Sequence, residues 1–259
     1  MLRNKQEMHK IPHIELQEVT KNFSRNGQST NIGPVTLDIK KGEFVAIVGH
    51  SGCGKTTILN LISGLTKTDT GSIRINGELV DSPQKNCGFV FQEFSLFPWR
   101  TVIENVEFGL ELRGIDRDKR RIRAGECLEL VKLGHVLNSY PKELSGGMKQ
   151  RVAIARALAY ESSILLMDEP FGSLDAQTRD DMQEDLLNIW SETQKTIIFV
   201  THSVREAVFL ASRIFLMKTP HNTITKIFNI PQPYPRGIDD KVSIETNELV
   251  YNIHVELRT

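Results

Sequence analysis

Cysteine is scarce, with three residues at 53, 87 and 127 in a chain of 259. An odd, scattered set makes neither a disulfide framework nor a zinc pattern, and a reducing, cytosolic setting is expected. Long hydrophobic runs are missing. The longest are short ones such as Phe44–Val48, Ile164–Met167 and Ile197–Val200, far below the roughly 18 residues of a membrane span. The start, Met1–Lys10, is polar with no apolar core, so no secretory signal is expected. Net charge is also missing, since 32 basic side chains balance 32 acidic ones. That removes the usual electrostatic footprint of a nucleic-acid binder. The basic run Arg117–Arg123 is interleaved with Asp116 and Asp118 and reads as a solvated helix face. With 39% apolar and 25% charged residues, a disordered chain is excluded.

What is present is an alternation of strand-like and helical patterns, which reads as α/β. Phe44–Val48 is short, apolar and glycine-bounded, as a buried central strand should be. A helix is expected from Lys55 to near Gly64, and a hairpin over Ser72–Val80 around Asn76-Gly77. Strands are expected at Cys87–Phe91, Ser163–Met167 and Thr196–Thr201, and helices over Asp180–Trp190 and after Ser203. Ser203 and Glu206 have the spacing of a capping box. Arg213–Met217 and Thr223–Phe228 read as a late hairpin, whereas the tail after Pro231 has no clear period. From about Phe94 to Tyr160 the chain becomes helical and more charged, a subdomain inserted between two halves of a mainly parallel sheet.

Three motifs carry chemistry. Gly49-His-Ser-Gly-Cys-Gly-Lys-Thr56 matches G-x-x-x-x-G-K-[ST] after a strand and at the opening of a helix. Its glycines let the backbone approach phosphate oxygens, its N–H groups and helix start face an anion, Lys55 adds a full charge, and Thr56 can ligate Mg²⁺. Ile164-Leu-Leu-Met-Asp168-Glu169 is an apolar strand that delivers two carboxylates to a sheet edge. Alone, that is a common way for a strand to end. Leu144-Ser-Gly-Gly-Met-Lys-Gln-Arg151 pairs an N-cap, Ser145, with two glycines, which makes a second helix start suited to an anion. Alone, it could be a merely capped helix.

Leu144–Arg151 resembles the signature of ATP-binding cassette (ABC) ATPases, and other elements stand in the family order. Gln92 resembles the Q-loop glutamine, Ser173-Leu174-Asp175 the D-loop, His202 the switch histidine and Phe23 the aromatic that stacks on adenine. The resemblance spans roughly Ile14–Phe228. It implies a P-loop NTPase core of mainly parallel sheet, with an N-terminal antiparallel β subdomain and a helical signature subdomain. The ABC domain is expected over 11–230, its helical part over about 94–160, and a tail over 231–259.

By the same resemblance, ATP and Mg²⁺ are the cofactors. Gly49, His50, Ser51, Gly52, Cys53, Gly54, Lys55, Thr56, Thr57 and Phe23 would bind nucleotide, with Cys53 giving only its backbone N–H. Thr56, Gln92 and Asp168 would serve the metal, and Glu169, His202 and Gln92 the catalysis. Leu144, Ser145, Gly146, Gly147 and Gln150 would complete the ATP site of a second copy, because in this family each ATP is sandwiched between two subunits.

Phe91–Trp99, Leu174–Arg179 and Phe199–Leu210 further resemble the nitrate/sulfonate/taurine group of bacterial or archaeal importers. Such cassettes partner a membrane permease and, indirectly, a solute-binding protein, at the cytoplasmic face of the membrane. The sequence departs from the group at His50, where proline is common. Phe94–Trp99 is a candidate surface for the permease, or else an ordinary part of the helical core. The competing reading is a soluble, non-transport ABC ATPase acting on nucleic acid or another macromolecular complex. Against it stand the single cassette, the balanced charge and a gap between phosphate loop and signature without sustained heptads. A degenerate, non-hydrolysing scaffold is opposed by the intact Lys55, Asp168, Glu169 and His202.

Overall fold

The computed structural model describes residues 12–25 and 28–258. The polar start Met1–Lys10 and the expected domain start at residue 11 lie outside them. Two sheets form. The smaller is antiparallel in the order β2-β1-β4-β5, from β1 (Ile14–Arg25), β2 (Gln28–Ile39), β4 (Thr70–Ile75) and β5 (Glu78–Leu79). The turn between β4 and β5 is Asn76-Gly77, both at positive φ, as a tight hairpin requires.

The larger sheet runs β10-β9-β3-β8-β7-β6. Here β3 is Phe44–Gly49, β6 Cys87–Val90, β7 Ile164–Asp168, β8 Thr196–Thr201, β9 Arg213–Lys218 and β10 Thr223–Asn229. Every pairing is parallel except β9 with the edge strand β10, the expected late hairpin.

Alternation along the central strands explains why the sheet is buried on both faces. Phe44, Ala46 and Val48 of β3 join one core with Leu165, Met167, Ile197 and Phe199. Val45 and Ile47 join the other with Ile164, Leu166, Ile198 and Val200. The second core is closed by the antiparallel sheet and by α1 (Lys55–Ile62). The first is closed by α2 (Val102–Leu112), α3 (Arg117–Leu130), α4 (Gly146–Ala159), α5 (Ala176–Thr193) and α6 (Val204–Leu210).

The tail corrects the sequence reading. It holds two helices, α7 (Ile238–Val242) and α8 (Ile244–Arg258). Thr246, Val250 and Ile253 of α8 are buried at helical spacing, and the last two join the first core. The Arg236 guanidinium donates to the carbonyls of Val208 (2.9 Å), Phe209 (2.9 Å) and Ala211 (3.0 Å), capping the end of α6.

Candidate functional site

The strand order decides the site. β3, β8, β7 and β6 are parallel neighbours, so their C-terminal ends share one sheet edge, where open α/β sheets place ligands. The phosphate-loop motif leaves β3, His202 follows β8, Asp168 and Glu169 end β7, and Gln92 lies two residues beyond β6. Sequence positions more than 150 apart thus meet at one rim.

The loop between β3 and α1 is shaped by glycine. Gly52 and Gly54 sit at φ 83° and 100°, where a side chain is strained. A Cβ at Gly49 would lie 2.3 Å from the Met217 carbonyl oxygen, so that strand end must be bare. Cys53 is buried and burial pushes its thiol up, consistent with a backbone role.

Lys55 is 5% exposed, and its ammonium donates to the carbonyls of Gly49 (2.9 Å) and His50 (3.1 Å). The same Nζ is 3.6 Å from Glu169 Oε1, while Glu169 Oε2 is 2.8 Å from His202 Nδ1. Glu169 is held there by its backbone: its N–H donates to Val200 O at 2.9 Å, tying β7 to β8. Its φ of 45° is left-handed; in a non-glycine residue such a conformation stores about 1–3 kcal/mol and clusters at functional sites.

The Thr56 hydroxyl lies beside the Asp168 carboxylate. Burial pushes the Asp168 carboxyl up, the Thr56 hydroxyl opposes this, and the neighbouring Glu169 adds to it. The Gln92 amide is exposed and stands against the loop after Glu169, since a Cβ on Gly172 would lie 3.3 Å from its Nε2.

A cavity of about 590 Å³ opens over the loop, lined by Ser51, Gly52, Gly54, Lys55, Thr56, Thr57 and Glu169, and by Phe23, Thr30 and Ile32 of the antiparallel sheet. Phe23 is 40% exposed, so its ring is available to a flat ligand. The sequence reading missed Thr30 and Ile32, since strand positions that pack over a loop carry no local signal.

The signature residues are elsewhere: none of 144–150 lines the cavity. Ser145 caps α4 by accepting from Met148 N (3.3 Å), and Ser145 and Gly146 face solvent. Gly147 is buried, with its would-be Cβ 2.6 Å from Thr178 Cγ2. Gln150, expected with the signature, is 0% exposed inside the subdomain, and its amide atoms have no hydrogen-bond partner there. Leu144 is buried too. In the D-loop, Asp175 caps α5 by accepting from Thr178 N at 3.0 Å, and Leu174 is buried.

Two further expectations are sharpened. The Ser203–Glu206 capping box is only half made. Ser203 Oγ accepts from Glu206 N (3.3 Å), but the Glu206 carboxylate turns to Thr201 and Arg179 instead of returning to the cap. Within Phe94–Trp99, Phe97 packs on Phe108, and its backbone is held by Asn105, so it belongs to the subdomain. Trp99 is 72% exposed.

Comparison with known proteins agrees with this arrangement. A family model described as ABC transporter matches residues 32–172. An uncharacterized ABC transporter ATP-binding protein of Methanocaldococcus jannaschii is 44% identical over 233 residues, 90% of this chain and 86% of that protein. The aliphatic sulfonates import ATP-binding protein of Bacillus cereus is 46% identical, covering 86% of this chain and 88% of the relative. The nitrate import ATP-binding protein of Synechocystis is also 46% identical, covering 85% and 84%. A solved ATP-binding cassette in a dimeric post-hydrolysis state, bound to ADP and Pi, superposes with a TM-score of 0.75 at 35% identity, covering 85% of this chain and all of that one. The shared sheet edge, the glycine-shaped loop and these relatives lead to one conclusion: the chain belongs to the ABC transporter family of ATP-binding, ATP-hydrolysing cassettes.

Proposed function

We propose that the chain is the energy-coupling subunit of a bacterial or archaeal importer for a small solute of the nitrate/sulfonate/taurine class. The observation that carries this is the convergence of Lys55, Glu169 and His202 at the ends of three adjacent strands. The solute class rests on relatives that import aliphatic sulfonates and nitrate.

In this reading the loop from Gly49 to Thr57 cradles the phosphates of ATP by backbone N–H groups, and Phe23 stacks on the base. The Lys55 ammonium exchanges its loop carbonyls for phosphate oxygens. Glu169 accepts the proton of the attacking water as general base. His202, hydrogen-bonded to Glu169, orients that carboxylate and faces the terminal phosphate. Gln92 reports the state of the site to the helical subdomain. The donor set fits magnesium: the Thr56 hydroxyl and the Asp168 carboxylate are neighbouring hard oxygens. A magnesium ion held by Thr56, Asp168 and Gln92 would supply positive charge to the transferring phosphoryl group.

A second copy would complete each site. Ser145 and Gly146 are exposed but line no part of the cavity, which suits a head-to-tail dimer with each signature over the partner's ATP. The partners in this reading are that second copy, a membrane permease and, indirectly, a solute-binding protein. The subunit sits peripherally at the cytoplasmic face of the membrane. Among the described residues no helix is long and apolar enough to cross it. Glu169→Gln tests the assignment. It should bind ATP, lose turnover and accumulate dimers in sedimentation; wild-type turnover overturns the general-base role. Calorimetry with nitrate and alkyl sulfonates on the solute-binding protein that this reading expects as a partner tests the solute class.

A further inference from the structure

The buried carboxylate of Glu206 is not needed for its helix, because Ser203 already caps α6 through the Glu206 N–H. Taking a carboxylate out of water costs several kcal/mol unless it is well paired. Glu206 is 9% exposed, and burial pushes its carboxyl up, opposed by Thr201, Arg179 and His202. Its Oε2 accepts from Thr201 Oγ1 at 2.6 Å, and that hydroxyl oxygen in turn accepts from Ser203 N at 3.0 Å. Thr201 and Ser203 flank His202. One end of Glu206 therefore fixes the backbone on both sides of His202.

The other end, Oε1, lies 3.7 Å from Arg179 Nε. Arg179 belongs to α5, but its guanidinium reaches back to the loop that precedes it. Nη2 donates to Leu174 O at 2.7 Å and Nε to Phe171 O at 3.3 Å. Phe171 and Leu174 bracket Gly172 and Ser173, which lie three and four residues beyond Glu169.

We infer that Arg179 and Glu206 are positioning residues that lock the loop carrying His202 to the loop of Ser173–Asp175. A shift of either loop is felt by the other, because the guanidinium that donates to Leu174 O and Phe171 O also forms an ion pair with the Glu206 carboxylate 3.7 Å away. Only a planar fork can serve two carbonyls and a carboxylate together, so lysine cannot replace Arg179. The coupling rests on the proposed roles of His202 and Glu169, and it adds a route by which the Ser173–Asp175 loop sets the histidine.

The test uses the full chain, with ATP turnover, the affinity for a fluorescent ADP analogue and the thermal midpoint as readouts. Glu206→Gln and Arg179→Lys should each lower kcat about tenfold, as a small misplacement of a reacting group does. KM and ADP affinity should stay within about twofold. The double variant should be no worse than the worse single, since both break one link. Should Glu206→Gln fail to fold, Thr201→Val removes only the hydroxyl that reaches Glu206 and carries the same expectation. Unchanged kcat, multiplying losses in the double variant, or losses in kcat that track lost ADP affinity would each overturn the inference. Glu169→Gln in parallel separates the two levels: if that variant turns over normally, the proposed function fails instead.

Discussion

His202 Nδ1 lies 2.8 Å from Glu169 Oε2, although 33 residues separate them and only Glu169 is largely buried. A contact with so exposed a member contributes little to stability. His202→Ala should leave the thermal midpoint within about 1 °C in calorimetry, a shift expected of a surface contact. Steady-state turnover should nevertheless fall about a hundredfold, the scale of a lost positioning contact at a reacting group. A variant that loses stability and activity together would assign His202 to the fold.

Asp168 should be a residue whose removal stabilises the protein. Its carboxyl is raised by burial and by Glu169. Between the ordinary and the raised value the folded chain holds a proton that the unfolded chain has lost. This contribution is complete below the ordinary value and disappears as pH rises through the raised one, so at neutral pH the charge is a net cost. Asp168→Asn, still able to accept from Thr56, should raise the midpoint by about 2 °C. It should also abolish magnesium-dependent turnover. The midpoint gain should shrink in melts run at low pH.

Gly147 faces Thr178 across the junction of α4 and α5. Gly147→Ala would place a Cβ 2.6 Å from Thr178 Cγ2, and such overpacking costs about 1–3 kcal/mol. Adding Thr178→Ser removes that methyl and should restore most of the loss in urea unfolding, while Thr178→Ser alone should be nearly silent. Failure of the rescue would show that the cost comes from the helix start.

The last helix should be an integral part of the fold. Ile253 is 0% exposed against the core that includes α6, and truncating such a side chain costs about 2–5 kcal/mol. Ile253→Ala should therefore lower the urea midpoint clearly, and Tyr251→Ala, on the exposed side, should not.

On the proposed permease surface, Trp99→Ala should leave ATP turnover of the isolated chain unchanged and weaken transport in reconstituted vesicles. Phe97→Asp should instead lower stability, because Phe97 packs on Phe108 inside the subdomain. Equal effects on transport with unchanged stability would return Phe97 to the surface.

Much of this site is legible in the sequence because its signals are local. The phosphate loop, the Asp168-Glu169 strand end and the Ser145 helix start each declare themselves within eight residues. Glu206 is different. Its spacing from Ser203 suggests a cap, and only the approach of α5, which brings Arg179, gives it another role. Gln150 stands with the signature by motif, and the turn of α4 buries it. The tail was illegible because α8 buries one threonine with two aliphatics, while Ile244, Tyr251 and Val255 stay exposed and blur the period.

The chain has two tryptophans, and the fold puts them in opposite settings. Trp190 packs on Phe44 and Tyr234 and donates its indole N–H to Gly42 O at 3.1 Å, behind the strand that feeds the phosphate loop. Trp99 stands 72% exposed on the helical subdomain. The protein thus carries two tryptophan fluorophores, a partly buried one behind the phosphate loop and a far more iodide-quenchable one on its outer face. A single quenching titration can follow core integrity and docking separately, with no label attached.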